Sequence, residues 1–209
     1  MQKYKFTGIT KEVYGRTLNQ IVCVTAFASI KSGEIGGYIE KEANLSQDGN
    51  AWVYGNAKVY GNAWVYRNAK VCEDAEVYGN AKVCGDAEVY GNAEVCGDAE
   101  VYGNAEVCGN ACVYGNAKVC GEAILRRGFT EKVTDYIVIG PQGTRSSFAT
   151  FHLHSKTVCT GCFVGNLNEF KKAVYKTHNP DQGRVTFNNQ YQRVIRVFEF
   201  LQEQDKDAQ

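Results

Sequence analysis

The chain has 209 residues, 44% of them hydrophobic, and a formal net charge of zero, which suits one elongated domain with a smaller companion. Two prolines and no apolar run near eighteen residues exclude proline-rich linkers and membrane-spanning helices. Nine cysteines, an odd number and mostly inside a repeat, suit reduced thiols better than a secreted disulfide framework.

The opening segment, MQKYKFTGITKEVYGRT, lacks the apolar core of an export signal, so the expected location is the cytoplasm. Residues 1–38 are expected to form an N-terminal β cap. YKFTGI and LNQIVCVTAF read as strands, separated by the turn-rich KEVYGRT. Trp52, Tyr54, Tyr60, Trp64 and Tyr66, just beyond, would suit a surface that this cap covers.

From residue 39 to 125 the chain repeats one hexad, V-[YC]-G-[ND]-A-x. An apolar residue opens each unit, at Ile39, Leu45, then every sixth residue from Val53 to Val119, and at Leu125. A period of six fits neither a 3.6-residue helix nor an uninterrupted alternating strand. It fits a two-residue strand followed by a sharp bend, which the Gly-Asn or Gly-Asp pair supplies by tolerating positive φ. Three hexads close a triangular coil, and coils stack by parallel pairing. Fifteen units make five coils, about 24 Å of rod at about 4.8 Å per coil. LSQDGNAWV is two residues too long, which places a bulged corner near Gln47–Asp48.

Stacking sets residue n beside residue n+18. Tyr54, Cys72, Tyr90 and Cys108 then share one column, as do Tyr66, Cys84, Tyr102 and Cys120, and Tyr60, Tyr78, Cys96 and Tyr114. In those columns no two cysteines are stacked neighbours, which disfavours disulfides and thiolate metal sites. The charges are segregated. Residues 73–106 carry nine carboxylates (Glu73, Asp74, Glu76, Asp86, Glu88, Glu94, Asp98, Glu100, Glu106) against Lys82, whereas residues 126–209 carry an excess of Lys and Arg. Glu76, Glu88, Glu94, Glu100 and Glu106 are therefore candidates for an acidic binding surface.

The repeat resembles the left-handed β-helix built from hexapeptide repeats, a fold shared by acyltransferases and gamma-class carbonic anhydrases. In those enzymes the resemblance implies histidines on the coils or their loops; here His152, His154 and His178 all lie beyond the repeat. The stretch IVCVTAFASIKSGEIGGYIEKEANLSQDGNAWVY, followed by GNA repeats, resembles a group of bacterial and bacteriophage hexapeptide-repeat proteins. The tail sequences IGPQGTR, SSFATF and CTGCF, followed by NLNEF, look like a tail recurring in phage-encoded proteins. The resemblance implies a phage or prophage setting and, if phage-encoded, the host cell cytoplasm. The expected fold is mainly β: a left-handed parallel β-helix of about five triangular coils, an N-terminal β cap and a small C-terminal α+β domain.

Residues 126–209 are expected to be that last unit. DYIVIG, SSFATFHLH and TVCTGCFV read as three strands. NLNEFKKAVYKTH reads as a helix with Asn166 and Glu169 as a capping box. FNNQYQRVIRVFEFLQEQ reads as a second helix with Tyr191, Val194, Ile195, Phe198 and Leu201 on one stripe.

Three chemistries suggest themselves in the tail. Cys159 and Cys162, with His152, His154 or His178, form a zinc-type ligand set, but on an extended strand the two cysteines face opposite ways unless the chain turns at Thr160–Gly161. A Cys162–His178 nucleophilic pair lacks an identifiable orienting group. In the loop GPQGTRSS, Gly143, Arg145, Ser146 and Thr150 could hold a phosphate or carboxylate. No metal and no cofactor is expected. The expected function is a non-enzymatic binding or scaffold protein whose partner is a host protein, such as a defence protein, or a small anionic ligand. The alternatives are an acidic rod imitating nucleic acid and an acyltransferase-like enzyme. Membrane association and direct nucleic-acid binding are disfavoured; a homo-oligomer is left open by the sequence.

Overall fold

The computed structural model describes residues 2–121, 123–126, 129–130, 135–142, 147–160, 163–178 and 185–207. It begins with a hairpin, β1 (Tyr4–Val13) and β2 (Arg16–Cys23), followed by β3 (Ile35–Ile39). KEVYGRT, expected as a connecting turn, is mostly strand: Tyr14 and Gly15 alone reverse the chain, at φ of 49° and 74°. Two successive positive φ values match the right-handed twist of the flanking strands, so no longer loop is needed.

Thirteen two-residue strands, β4 to β16, then run from Trp52–Val53 to Ile124–Leu125. They stack in parallel as a β-solenoid of about five turns. One face brings together Ile39, Val59, Val77, Val95, Val113 and Thr130, the last in β17 (Phe129–Thr130). A second holds Val53, Val71, Val89, Val107 and Leu125. A third holds Leu45, Val65, Val83, Val101 and Val119. The rungs from Val53 to Leu125 pair at the expected eighteen-residue offset, whereas the last pairing, Val113 with Thr130, spans seventeen. The first turn spans twenty, because the two extra residues fall in the bend at 47–50.

Each hexad divides its labour. The valines from Val53 to Val119 and the alanines that close each unit point inward and are buried, and each buried valine contributes about 2 kcal/mol through removal of apolar surface from water. The glycines sit at corners of positive φ, where rungs touch. A Cβ on Gly91 (φ +74°) would stand 2.8 Å from the Gly109 nitrogen, so no other residue fits there without movement. Arg67 and Glu73 occupy equivalent corners, both at φ of 62°.

The cap seals the first rung. Trp52 is fully buried, with Tyr4 and Phe27 edge-on at 6.2 and 5.6 Å. Gln47, in the bulged corner, accepts the Lys3 amide at 2.9 Å. Lys3 is buried, donates to the Ala51 carbonyl at 3.0 Å, and has its pKa lowered by that burial to about 8. Gly36 lets β3 lie this close, since a Cβ there would meet Ile21 and Val53 within 2.7 Å. The cap covers Trp52, while Tyr60 is buried with its ring stacked on Tyr78 at 5.1 Å. The cap leaves Trp64 42% exposed, stacked on Tyr66 at 4.0 Å, contrary to the expectation for that pair.

At the other end four antiparallel strands, β18 (Tyr136–Gln142), β19 (Ser147–His152), β20 (Thr157–Thr160) and β21 (Phe163–Asn166), form a sheet in that order. TVCTGCFV, expected as one strand, supplies parts of two: β20 and β21 pair antiparallel, Thr160 with Phe163. Helices α1 (Leu167–Thr177) and α2 (Val185–Asp207) pack on this sheet through Phe151, Val158, Phe170, Val174, Tyr191, Val194, Ile195 and Phe198. The capping box holds: Asn166 accepts the Glu169 amide at 3.0 Å, and Glu169 accepts that of Asn166 at 2.8 Å. Among the described residues no helix is long and apolar enough to cross a membrane.

Candidate functional site

The outer walls of the coils are ladders of side chains bonded to one another. Lys58 reaches Glu76 and Lys70 reaches Glu88, each at 2.7 Å; Lys82 and Lys118 both reach Glu100 at 3.4 Å. Tyr60, Tyr78 and Tyr90 donate their hydroxyls to Glu76, Glu94 and Glu106 at 2.8, 3.0 and 2.9 Å. Asn62 bonds Asn80, which bonds Asp98, and Asn50, Asn68 and Asp86 form a second such chain. Each of the five acidic candidates thus already engages a Lys or Tyr of the same wall.

Two like-charged neighbours persist in register, Glu76 beside Glu94 and Glu88 beside Glu106. Such pairs are mildly unfavourable, and the tyrosine hydroxyls relieve them by donating to Glu76, Glu94 and Glu106. Those tyrosines hold their protons far more tightly than usual, because of burial first and of hydrogen bonds and charge from neighbouring carboxylates and thiols next.

A second contact rule accompanies the n+18 register. Tyr60–Glu76, Tyr78–Glu94 and Tyr90–Glu106 all join residue n to n+16, a diagonal across adjacent rungs. Cys96 and Cys112 occupy those same two places, which a scan of the n+18 columns misses. Burial, then the Cys96 and Glu94 charges, push the Cys112 thiol up to about 11, and burial with Glu73 and Glu88 does the same to Cys72. Thiols so disposed are poor nucleophiles at neutral pH.

The tail meets the rod through a buried polar joint. The Tyr136 hydroxyl donates to the Lys118 carbonyl at 2.8 Å and accepts the Cys120 amide at 3.2 Å. Thr150, expected in an anion loop, is buried at this joint, and its hydroxyl accepts the Ile124 amide at 3.0 Å. Gly143, Arg145 and Ser146 lie outside the described residues. The His152 ring contacts the Thr130 hydroxyl at 2.7 Å and the Ser155 hydroxyl at 2.9 Å. β19 ends at His152, so His154 leaves the strand face expected for it and meets Asp135 at 3.1 Å in the turn beyond.

The other metal candidates are dispersed. Cys159 is buried on β20, opposite Thr150, and Cys162 lies outside the described residues. His178 caps α1 and stacks on Tyr191 at 5.0 Å. Among the described residues no three His, Cys, Asp or Glu side chains gather as a metal site. The described histidines are engaged elsewhere.

One open concavity stands out on the tail. A groove of about 530 Å³ between α1 and α2 is lined by Lys171, Lys172, Tyr175, Gln192, Ile195, Arg196 and Glu199. Lys171 pairs with Glu199, which leaves Lys172 and Arg196 as cations beside the half-exposed Tyr175. Helical spacing carries this signal in the sequence, where Arg196 reads as part of a solvated helix face.

No family model matches the chain. A 51-residue stretch, 24% of its length, is 37% identical to a protein of Escherichia coli (strain K12) described as the uncharacterized acetyltransferase YdcK. The match covers 15% of that protein's own length. This short similarity is consistent with a solenoid wound from hexads.

Proposed function

We propose that the chain is a non-enzymatic binding and scaffold protein, a phage or prophage accessory that holds a host protein or a small anionic ligand. The rod sets the reach and the C-terminal domain, residues 126–209, makes the contact. The observation that carries this reading is the basic groove of Lys172, Arg196 and Tyr175, set on two packed helices beside coil walls whose side chains already bond one another. Inhibition of a host defence protein is one role such a grip would serve. The test is capture from host lysate, with mass spectrometry for proteins and small molecules. Lys171→Glu with Lys172→Glu should lose the captured species, whereas Glu88→Gln, Glu94→Gln, Glu100→Gln and Glu106→Gln together should keep it.

A second reading has one observation in its favour. Glu88 beside Glu106 and Glu76 beside Glu94 keep carboxylates together against their own repulsion, as a surface imitating nucleic-acid phosphates would. It predicts the opposite result: binding lost in the glutamine variant and falling steeply with salt. Acetyl transfer, suggested by the name of the E. coli protein, has weaker support because residues 39–125 contain no histidine to act as base. Turnover of acetyl-coenzyme A by the purified protein would favour it.

A further inference from the structure

The outward face of α2 carries a pattern that shares only Arg196 with the groove described above. Its inward stripe, Tyr191, Val194, Ile195 and Phe198, is buried. Half a turn round, Arg193, Arg196, Phe200 and Glu203 follow at alternating steps of three and four residues, with Val197 alongside, and all five are exposed. Val197 is 41% exposed and Phe200 58%. Neither arginine nor Glu203 has an ion-pair partner among the described residues. Along the helix the order is two cations, two apolar residues and a carboxylate.

Such a sequence of charges complements a copy of itself, provided the copy runs the other way. A parallel neighbour would set arginine against arginine. An antiparallel neighbour, related by a two-fold axis beside Phe200, buries the apolar centres together and lays each arginine end along the other helix's carboxylate end. We propose that α2 is the face through which two copies of this chain pair, antiparallel and about a two-fold axis. This inference does not depend on the partner reading above. One 23-residue helix covers less than the about 800 Å² per partner of a standard interface, so the dimer is weak and forms with rising concentration.

Sedimentation equilibrium of the full chain, from micromolar to sub-millimolar concentration, tests it. The wild type should shift from one chain mass towards two, and less so in high salt. Phe200→Ser should stay monomeric with an unchanged circular-dichroism spectrum, because the residue is exposed. Arg193→Glu with Arg196→Glu makes the stripe acidic, and Glu203→Arg makes it basic. Each variant alone should be monomeric, and an equimolar mixture should recover the dimer. A wild type that remains monomeric, a dimer that survives Phe200→Ser, or a mixture that fails to pair would each overturn the proposal.

Discussion

Arg67 and Glu73 stand where the hexad elsewhere places glycine, and both are held at a φ of 62°. A side chain in that left-handed region costs about 1–2 kcal/mol, part of which glycine would return through its freer unfolded chain. Arg67→Gly or Glu73→Gly should therefore raise stability by about 0.5–1 kcal/mol, read as a higher urea midpoint. Gly91→Ala should do the reverse and by more, because strain at φ +74° is joined by a Cβ 2.8 Å from the next rung. The sequence displays both exceptions, in YRNAK and CEDAE, without saying whether the corner bends differently there. It does not; the neighbouring rungs dictate the angle.

At the scale of the ladder, the thiols and phenols bind their protons more tightly folded than unfolded. For Cys72 and Cys112 the pKa rises from 9.0 to about 11, so their contribution is whole below pH 9 and is lost as pH climbs through about 11. Tyr60, Tyr78 and Tyr90 act in the same sense from pH 10 upward. Lys3 acts oppositely: its pKa falls from 10.5 to about 8, so its penalty is full below pH 8 and fades by 10.5. The more numerous acids should win. Urea midpoints should fall between pH 9 and 11, less steeply in Cys72→Ser with Cys112→Ser, and more steeply in Lys3→Met. A flat profile in the wild type would contradict this account.

The same ladders mark the limit of what the sequence tells. The inward columns, the coil stacking and the twenty-residue first turn follow from counting hexads. The diagonal meeting of Tyr60 with Glu76, or of Cys96 with Cys112, does not, since it depends on how side chains lean across the gap between rungs. Likewise Thr150 reads as part of a Gly-rich loop, yet its hydroxyl belongs to the Ile124 amide. His152 reads as a metal ligand, yet Thr130, a residue far back in the chain, takes its ring nitrogen.

For the molecule as a whole, the ends carry the risk. A solenoid without closure exposes unpaired strand edges that invite association. Here β1 to β3 close one end over Trp52, while Tyr136 and Thr150 hold the tail against the other. Removal of residues 2–23 should uncover Trp52 and the first rung, and light scattering should then show growth of particle mass with concentration. If the truncated rod stays monodisperse, the hairpin is not what keeps copies apart.

The recurrence of one register along the coils makes the shaft a thread. Duplicating residues 77–94 would add a full revolution, moving cap and tail apart by about 4.8 Å while keeping their bearing. Adding only one hexad would turn one end by a third of a revolution relative to the other. Separation and azimuth of the two working ends are thus set in discrete notches, and small-angle scattering of such a series would read them one at a time.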